Sequence, residues 1–181
     1  MRIISGTHKR RAIRPPKNLA VRPTTDMAKE SLFNVLSNAM DFEAVSALDL
    51  FSGTGSIAFE LISRGCLKVT AVDQNKASTD WIKKAAIDFN MENLLVKTAD
   101  SFTFISRSAQ HFDFIFADPP YDLEGLDSLN HLIFKHQLLR PNGWLVIEHP
   151  QHIDFSGQDY FIDHRHYGKV NFSLFHFQAP E

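Results

Sequence analysis

The chain has 181 residues, 44% of them hydrophobic, a single cysteine and a formal net charge of −2. That length and apolar content suit one domain with a substantial core, while the lone Cys66 excludes an intrachain disulfide, a CxxC pair and a cysteine-based zinc site. No 18-residue stretch is free of charge and the first residues hold no apolar signal core, so a soluble, cytoplasmic protein is expected.

The charge is unevenly spread. Residues 1–40 carry eight Lys/Arg against Asp26 and Glu30, and no acidic side chain precedes Asp26. A basic arm over residues 1–25 on an acidic body, residues 26–181, points to a polyanionic partner. Pro15, Pro16 and Pro23 keep the arm out of regular helix. Thr24-Thr25-Asp26 then reads as a helix start, followed by Ala28, Leu32, Val35, Leu36 and Ala39 at helical spacing.

From Val45 onward strand and helix alternate. An apolar strand, Val45 to Phe51, runs into the glycine turn Ser52-Gly53-Thr54-Gly55 and a helix from Ser56 to Arg64. Strand Lys68 to Asp73, helix Lys76 to Phe89, strand Leu94 to Thr98, helix Phe102 to Ser106 and strand Phe112 to Ala117 follow. After Asp118-Pro119-Pro120-Tyr121 come a helix from Leu126 to Leu138, a turn at Pro141-Asn142-Gly143 and a fifth strand, Trp144 to Glu148. Such alternation predicts an α/β, Rossmann-like fold with a mostly parallel sheet and helices on both faces. Tyr160 to His166 and Val170 to Phe177, split by Tyr167-Gly168-Lys169, read as a closing antiparallel hairpin.

In an open α/β sheet ligands lie beyond the carboxyl ends of the strands. Asp49, Asp73, Asp100 and Asp118 fall at or near four such ends, and the glycines allow close approach of backbone to a ligand. Asp73 is placed to accept from ribose hydroxyls, and Asp100 with Ser101 suits an adenine amino group. Two prolines cannot continue a central strand, so the chain leaves the sheet at Asp118 along one path. The Asp118 carboxylate and the Pro119 carbonyl then converge on one amino group, with the Tyr121 ring available for stacking. This points to methyl transfer onto an amino nitrogen. Gly53-Thr54-Gly55-Ser56-Ile57-Ala58 also satisfies GxGxxA, so a nicotinamide-dependent oxidoreductase is the reading from another reaction class. His149/His152 and His164/His166 lack partners at metal-ligand spacing, and no metal is expected.

Asp49-Leu-Phe-Ser-Gly-Thr-Gly, Asp73, Asp100 and Asp118-Pro-Pro-Tyr resemble the motifs of class I S-adenosylmethionine-dependent amino methyltransferases. Arg22-Pro-Thr-Thr-Asp-Met-Ala-Lys-Glu-Ser-Leu-Phe-Asn, the opening Arg2-Ile-Ile-Ser-Gly and the terminal hairpin narrow the likeness to the bacterial 16S rRNA guanine(966)-N2 methyltransferase family, over nearly the whole chain. The resemblance implies S-adenosylmethionine as cofactor, held by Thr24, Thr25, Asp49, Phe51, Gly53, Gly55, Asp73, Gln74, Asp100 and Ser101. It implies Asp118, Pro119 and Tyr121 as the catalytic motif, and 16S rRNA within a small ribosomal subunit as the partner; a monomer is expected. Lys9, Arg10, Arg11, Arg14 and Arg22 are the candidate RNA contacts. The chain departs from the family where it has Ser5 and Arg10 in place of glycines, and Met27 and Lys29 in place of arginines. DNA adenine N6 methylation and protein glutamine methylation use related chemistry and remain as alternatives. A non-enzymatic RNA-binding protein on the same fold is expected to have lost an Asp or Gly from the site, and none is lost here.

Overall fold

The computed structural model describes residues 1–17, 19 and 25–178. Helix α1, Asp26–Ala39, starts where Thr25 accepts a hydrogen bond from the Ala28 N–H at 3.2 Å and Asp26 places a negative charge in the first turn. There follow β1 (Ser46–Leu50), α2 (Ser56–Ser63), β2 (Lys68–Asp73), α3 (Lys76–Asp88), β3 (Leu94–Thr98), α4 (Ser101–Arg107) and β4 (Phe112–Ala117). The chain closes with α5 (Leu129–Lys135), β5 (Leu139–His149), β6 (Phe161–Tyr167) and β7 (Val170–Phe177). The strand order is β3-β2-β1-β4-β5-β7-β6. The first five strands pair in parallel, and β7 inserts antiparallel between β5 and β6.

Strand parity divides the core. Ala47, Val69, Ala71, Phe114, Phe116 and Val146 pack toward α1, α2 and α3. Leu48, Leu50, Val72, Ile115, Ala117, Leu145 and Ile147 pack toward α4 and α5 on the other face. After β1 the chain steps outward to β2 and β3, then returns to place β4 on the other side of β1. The strand order therefore reverses between β1 and β4, where a crevice opens at their carboxyl ends.

Two elements differ from the sequence reading. Pro141-Asn142-Gly143 lies within β5: Phe112 pairs with Leu139 and Phe114 with Trp144, so the segment bulges opposite Asp113 alone, with Asn142 at φ 63°. Arg140 anchors the bulge by donating to Asp113 at 2.7 Å. The helix expected from Leu126 is a short 3₁₀ turn, Leu126–Ser128, followed by α5, which ends at Lys135.

The amino-terminal segment packs on the body. Arg2 bridges Ala12, and Ile3 and Ile13 are buried. Between them the chain turns over the end of α2: Thr7 N–H donates to the Ser63 carbonyl at 2.8 Å and His8 N–H to its hydroxyl at 2.9 Å. The contact requires Gly6, at φ 80°, because a Cβ there lies 1.6 Å from the Ser63 carbonyl oxygen. Arg10 sits at φ 71° in the left-handed region, a conformation that costs a non-glycine residue about 1 kcal/mol of backbone strain. Lys29 is fully buried against Glu60. It braces the interior, donating to the Arg2 carbonyl and the Ser56 hydroxyl. Among the described residues no helix is long and apolar enough to cross a membrane.

Candidate active site

The loop after β1 is built by hydrogen bonds to its neighbour strand. Ser52 N–H donates to the Val72 carbonyl at 3.0 Å, and the Ser52 hydroxyl donates to the Asp49 carbonyl at 2.6 Å. Phe51 is held at φ 59°, a conformation that non-glycine residues adopt at a cost of about 1–3 kcal/mol and mostly at functional sites. Gly53, at φ 53°, follows it and donates its N–H to Asp73 Oδ2 at 2.8 Å. The other Asp73 oxygen accepts from Asn75 N–H at 2.8 Å. One carboxylate at the end of β2 thus ties the glycine loop to the start of α3, where Asn75 caps the helix through Ala77. Asp100 similarly caps α4 by accepting from Thr103 N–H at 2.8 Å.

On the far side of the crevice the exit from β4 is fixed by Asp118 N–H donating to the Leu50 carbonyl at 3.3 Å. Pro120 accepts from Leu123 N–H at 3.0 Å, which closes the turn. The Tyr121 hydroxyl donates to Glu148 Oε1 at 3.3 Å, so the turn is also latched to the end of β5.

Together these segments enclose a cleft of about 500 Å³. Phe51, Gly53, Asp73, Gln74, Asp100 and Ser101 line one part of it, and Asp118, Pro119 and Tyr121 another. Four carboxylates line the cleft, with no Lys, Arg or His among the described lining residues. Phe51 and Phe102 meet edge to face, their ring centroids 6.4 Å apart, and form an apolar wall.

Other expected residues lie elsewhere. Asp49 is one residue inside β1 on the α2 face, 2% exposed, and its carboxylate accepts from Ala58 N–H at 3.1 Å. Burial, with a smaller contribution from the Asp73 charge, pushes its pKa up to about 8, so at neutral pH it is a protonated brace for α2. The expectation that Asp49 projects onto the common rim is therefore corrected. Gly55, at φ 78°, begins α2 beneath Ile82 and Phe59. Thr25 serves as the cap of α1. Thr24 and Arg22 lie outside the described residues. Lys9, Arg10, Arg11 and Arg14 are exposed on the amino-terminal segment, away from the cleft lining, with the Arg11 guanidinium 4.8 Å from the centre of the Phe89 ring.

Sequence reasoning missed Asn75, Ser78, Phe102, Pro120, Leu123 and Glu148 as lining residues. Glu148 carried a usable signal, a carboxylate ending the apolar run Trp144 to Ile147, the pattern that marked Asp118 on β4. Among the described residues no group of three or more His, Cys, Asp or Glu could hold a metal ion. His149 is a core residue, with its pKa lowered chiefly by burial and its ring bonded to the Pro150 carbonyl and the Ser173 hydroxyl.

Comparison with known proteins places this architecture. The solved structure of yhhF from Escherichia coli superposes with a TM-score of 0.86 over 99% of each chain at 24% identity, which establishes a shared fold. A Bacillus subtilis protein, YlbH, named as a candidate rRNA methyltransferase, is 34% identical over 163 residues covering 85% of each chain. The protein named ribosomal RNA small subunit methyltransferase D from Buchnera aphidicola (subsp. Baizongia pistaciae) is 32% identical over 148 residues, covering 82% of this chain and 75% of its own length. Residues 1–176 match a single family along almost their whole length, and the chain belongs to that family, described as conserved hypothetical protein 95.

Proposed function

We propose that this protein transfers a methyl group from S-adenosylmethionine to the exocyclic N2 amino group of a guanine in small-subunit 16S rRNA. The carrying observation is the single cleft that joins the glycine loop, Asp73 and Asp100 to Asp118, Pro119 and Tyr121 across the reversal point of the sheet. The rRNA methyltransferase names of the relatives support the same substrate class.

The lining suits this cofactor by its own chemistry. An acidic cleft favours a sulfonium, Asp73 offers acceptors for ribose hydroxyls, and Asp100 with Ser101 and the Phe51/Phe102 wall suits a flat amino-bearing base. When bound, S-adenosylmethionine supplies an electrophilic methyl carbon. The guanine N2 lone pair is delocalised into the ring and makes a weak nucleophile. Asp118 and the Pro119 carbonyl, accepting from the amino hydrogens, localise that pair and aim it, so the chain contributes mainly orientation and fixed electrostatics. A paired base is out of reach of such a cleft, and the target is an unpaired or flipped nucleotide.

The test is to incubate the protein with labelled cofactor and naked 16S rRNA, small subunits or DNA, and to map the methylated base. Methyl-N2-guanine in rRNA is expected, with particles containing ribosomal proteins preferred over naked rRNA. Methyladenine in DNA, or label on a protein glutamine, overturns the reading.

Asp73→Ala is expected to weaken S-adenosylmethionine binding about 10- to 100-fold, by removing a charge-assisted contact and loosening the loop it ties to α3. Calorimetry measures it. An unchanged dissociation constant removes Asp73 from the site, and tighter binding of NAD(P) than of S-adenosylmethionine by the parent favours the oxidoreductase reading.

The cations of the amino-terminal segment serve as the RNA anchor. Because Gly6 and Glu60 fix this segment to α2, Lys9, Arg10, Arg11 and Arg14 are presented from a folded surface. Replacing all four by Gln is expected to leave cofactor affinity intact and to make the log–log salt dependence of RNA binding shallower, since fewer counterions are released. Equal slopes for variant and parent remove the anchor role. A monomeric enzyme acting in the cytoplasm on an assembling small subunit is the setting that fits these features.

A further inference from the structure

Glu148 is 5% exposed, ends the apolar core of β5 and lines the cleft without any part in the cofactor side described above. The register that sets Ala117 opposite Ile147 brings the exit of β4 at Asp118 beside Glu148. Strand parity puts Glu148 on the face of Val146, and Asp118 lines the same cleft. The Tyr121 hydroxyl, donating to Glu148 Oε1 at 3.3 Å, fixes the orientation of this carboxylate within the acceptor end of the cleft.

Two adjacent acceptors in the cleft match two adjacent donors on a ligand. Guanine has them, since its N1–H lies next to its N2 amino group on the same edge. Adenine and cytosine pair their amino group with a ring-nitrogen acceptor, and an amide side chain pairs it with a carbonyl oxygen. Resting on the methyl-transfer reading above, we propose that Glu148 is a specificity-determining residue that accepts the N1–H of the target guanine while Asp118 and Pro119 engage its N2 amino group. A base that presents a lone pair at that ring position sets it against a carboxylate oxygen and is rejected, because two acceptors then face each other with no proton between them.

The probe is 2-aminopurine riboside, which keeps the 2-amino group but carries a bare N1. It is placed at the methylated position of 16S rRNA reconstituted into small-subunit particles, and single-turnover methylation is compared with that of the guanosine-containing particle. The parent protein is expected to favour guanosine by roughly 10- to 100-fold. Glu148→Gln, whose amide can donate to a bare N1, is expected to slow on guanosine and to gain relative to the parent on 2-aminopurine, so that the preference collapses toward unity. A purely structural loss lowers both rates together and leaves their ratio unchanged. Equal use of the two bases by the parent, or an unaltered ratio in Glu148→Gln, overturns the role of Glu148 while leaving methyl transfer to guanine in place. Absence of methyl transfer by the parent to any guanosine particle overturns the underlying function, and this inference with it.

Discussion

Asp118→Ala is expected to lower single-turnover methyl transfer by about 10²- to 10³-fold, the loss seen when one preorganised electrostatic contact to a reacting group is deleted. Its place in the fold separates this effect from binding. Asp118 leaves β4 with its N–H on the Leu50 carbonyl, and it faces the acceptor end of the cleft, whereas the glycine loop and Asp73 are tied to β2 and α3. S-adenosylmethionine affinity measured by calorimetry is therefore expected to stay at the parent value while the chemical step slows. Asp118→Asn keeps one acceptor oxygen and is expected to fall between Ala and the parent. A parent-like rate in Asp118→Ala sinks its catalytic assignment, and a matching loss of cofactor affinity moves Asp118 to the cofactor side.

The residues that carry these effects differ in how far the sequence alone reveals them. Asp73, Asp100 and Asp118 are legible because each follows or ends an apolar run, and in a parallel sheet such positions converge on one edge. Asp49 obeys the same rule on paper and fails it in space: β1 runs on to Leu50, so Asp49 points across the sheet into α2, where burial keeps it protonated. A one-residue error in a strand end reverses the face of a side chain. The beginning of β5 was hidden for a different reason. Pro-Asn-Gly is a strong turn signal, and only the pairing of Leu139 with Phe112 and of Trp144 with Phe114 shows it absorbed as a bulge. Alternation of strand and helix made the parallel sheet and its hairpin plain. The insertion of β7 between β5 and β6 depends on tertiary pairing that local pattern does not encode.

The least legible feature is the buried ion cluster under the amino-terminal segment, because its members come from three separate segments. Glu60 on α2 is fully buried; its carboxylate accepts from Ile4 N–H at 2.7 Å, Ser5 N–H at 3.1 Å and Arg64 Nε at 2.9 Å. Lys29 on α1, also fully buried, stands 3.6 Å from Glu60 and donates to the Arg2 carbonyl at 2.6 Å and the Ser56 hydroxyl at 3.1 Å. Burial lowers the Lys29 pKa, and the charges of Glu60 and then Asp26 oppose that shift. Glu60→Ala removes the counter-charge and three hydrogen-bond acceptances at once, and is expected to cost about 3–5 kcal/mol. That is a large share of the roughly 5–15 kcal/mol that stabilises a domain, and at about 2–4 °C per kcal/mol for this size it lowers Tm by on the order of 6–20 °C. The sign with pH follows from Lys29. Where the folded-state pKa lies below the unfolded value, the unfolded chain binds more protons between the two, and stability rises with pH across that window. Loss of Glu60 moves the folded value further down and widens the window. The Tm deficit of Glu60→Ala is therefore expected to shrink between pH 7 and pH 9.5, and adding Lys29→Met is expected to recover part of the deficit at pH 7 and to abolish its pH dependence. Thermal melts of the parent, the single and the double variant decide the matter. A deficit that is independent of pH in Glu60→Ala assigns the loss to the Ile4 and Ser5 hydrogen bonds and not to an uncompensated lysine.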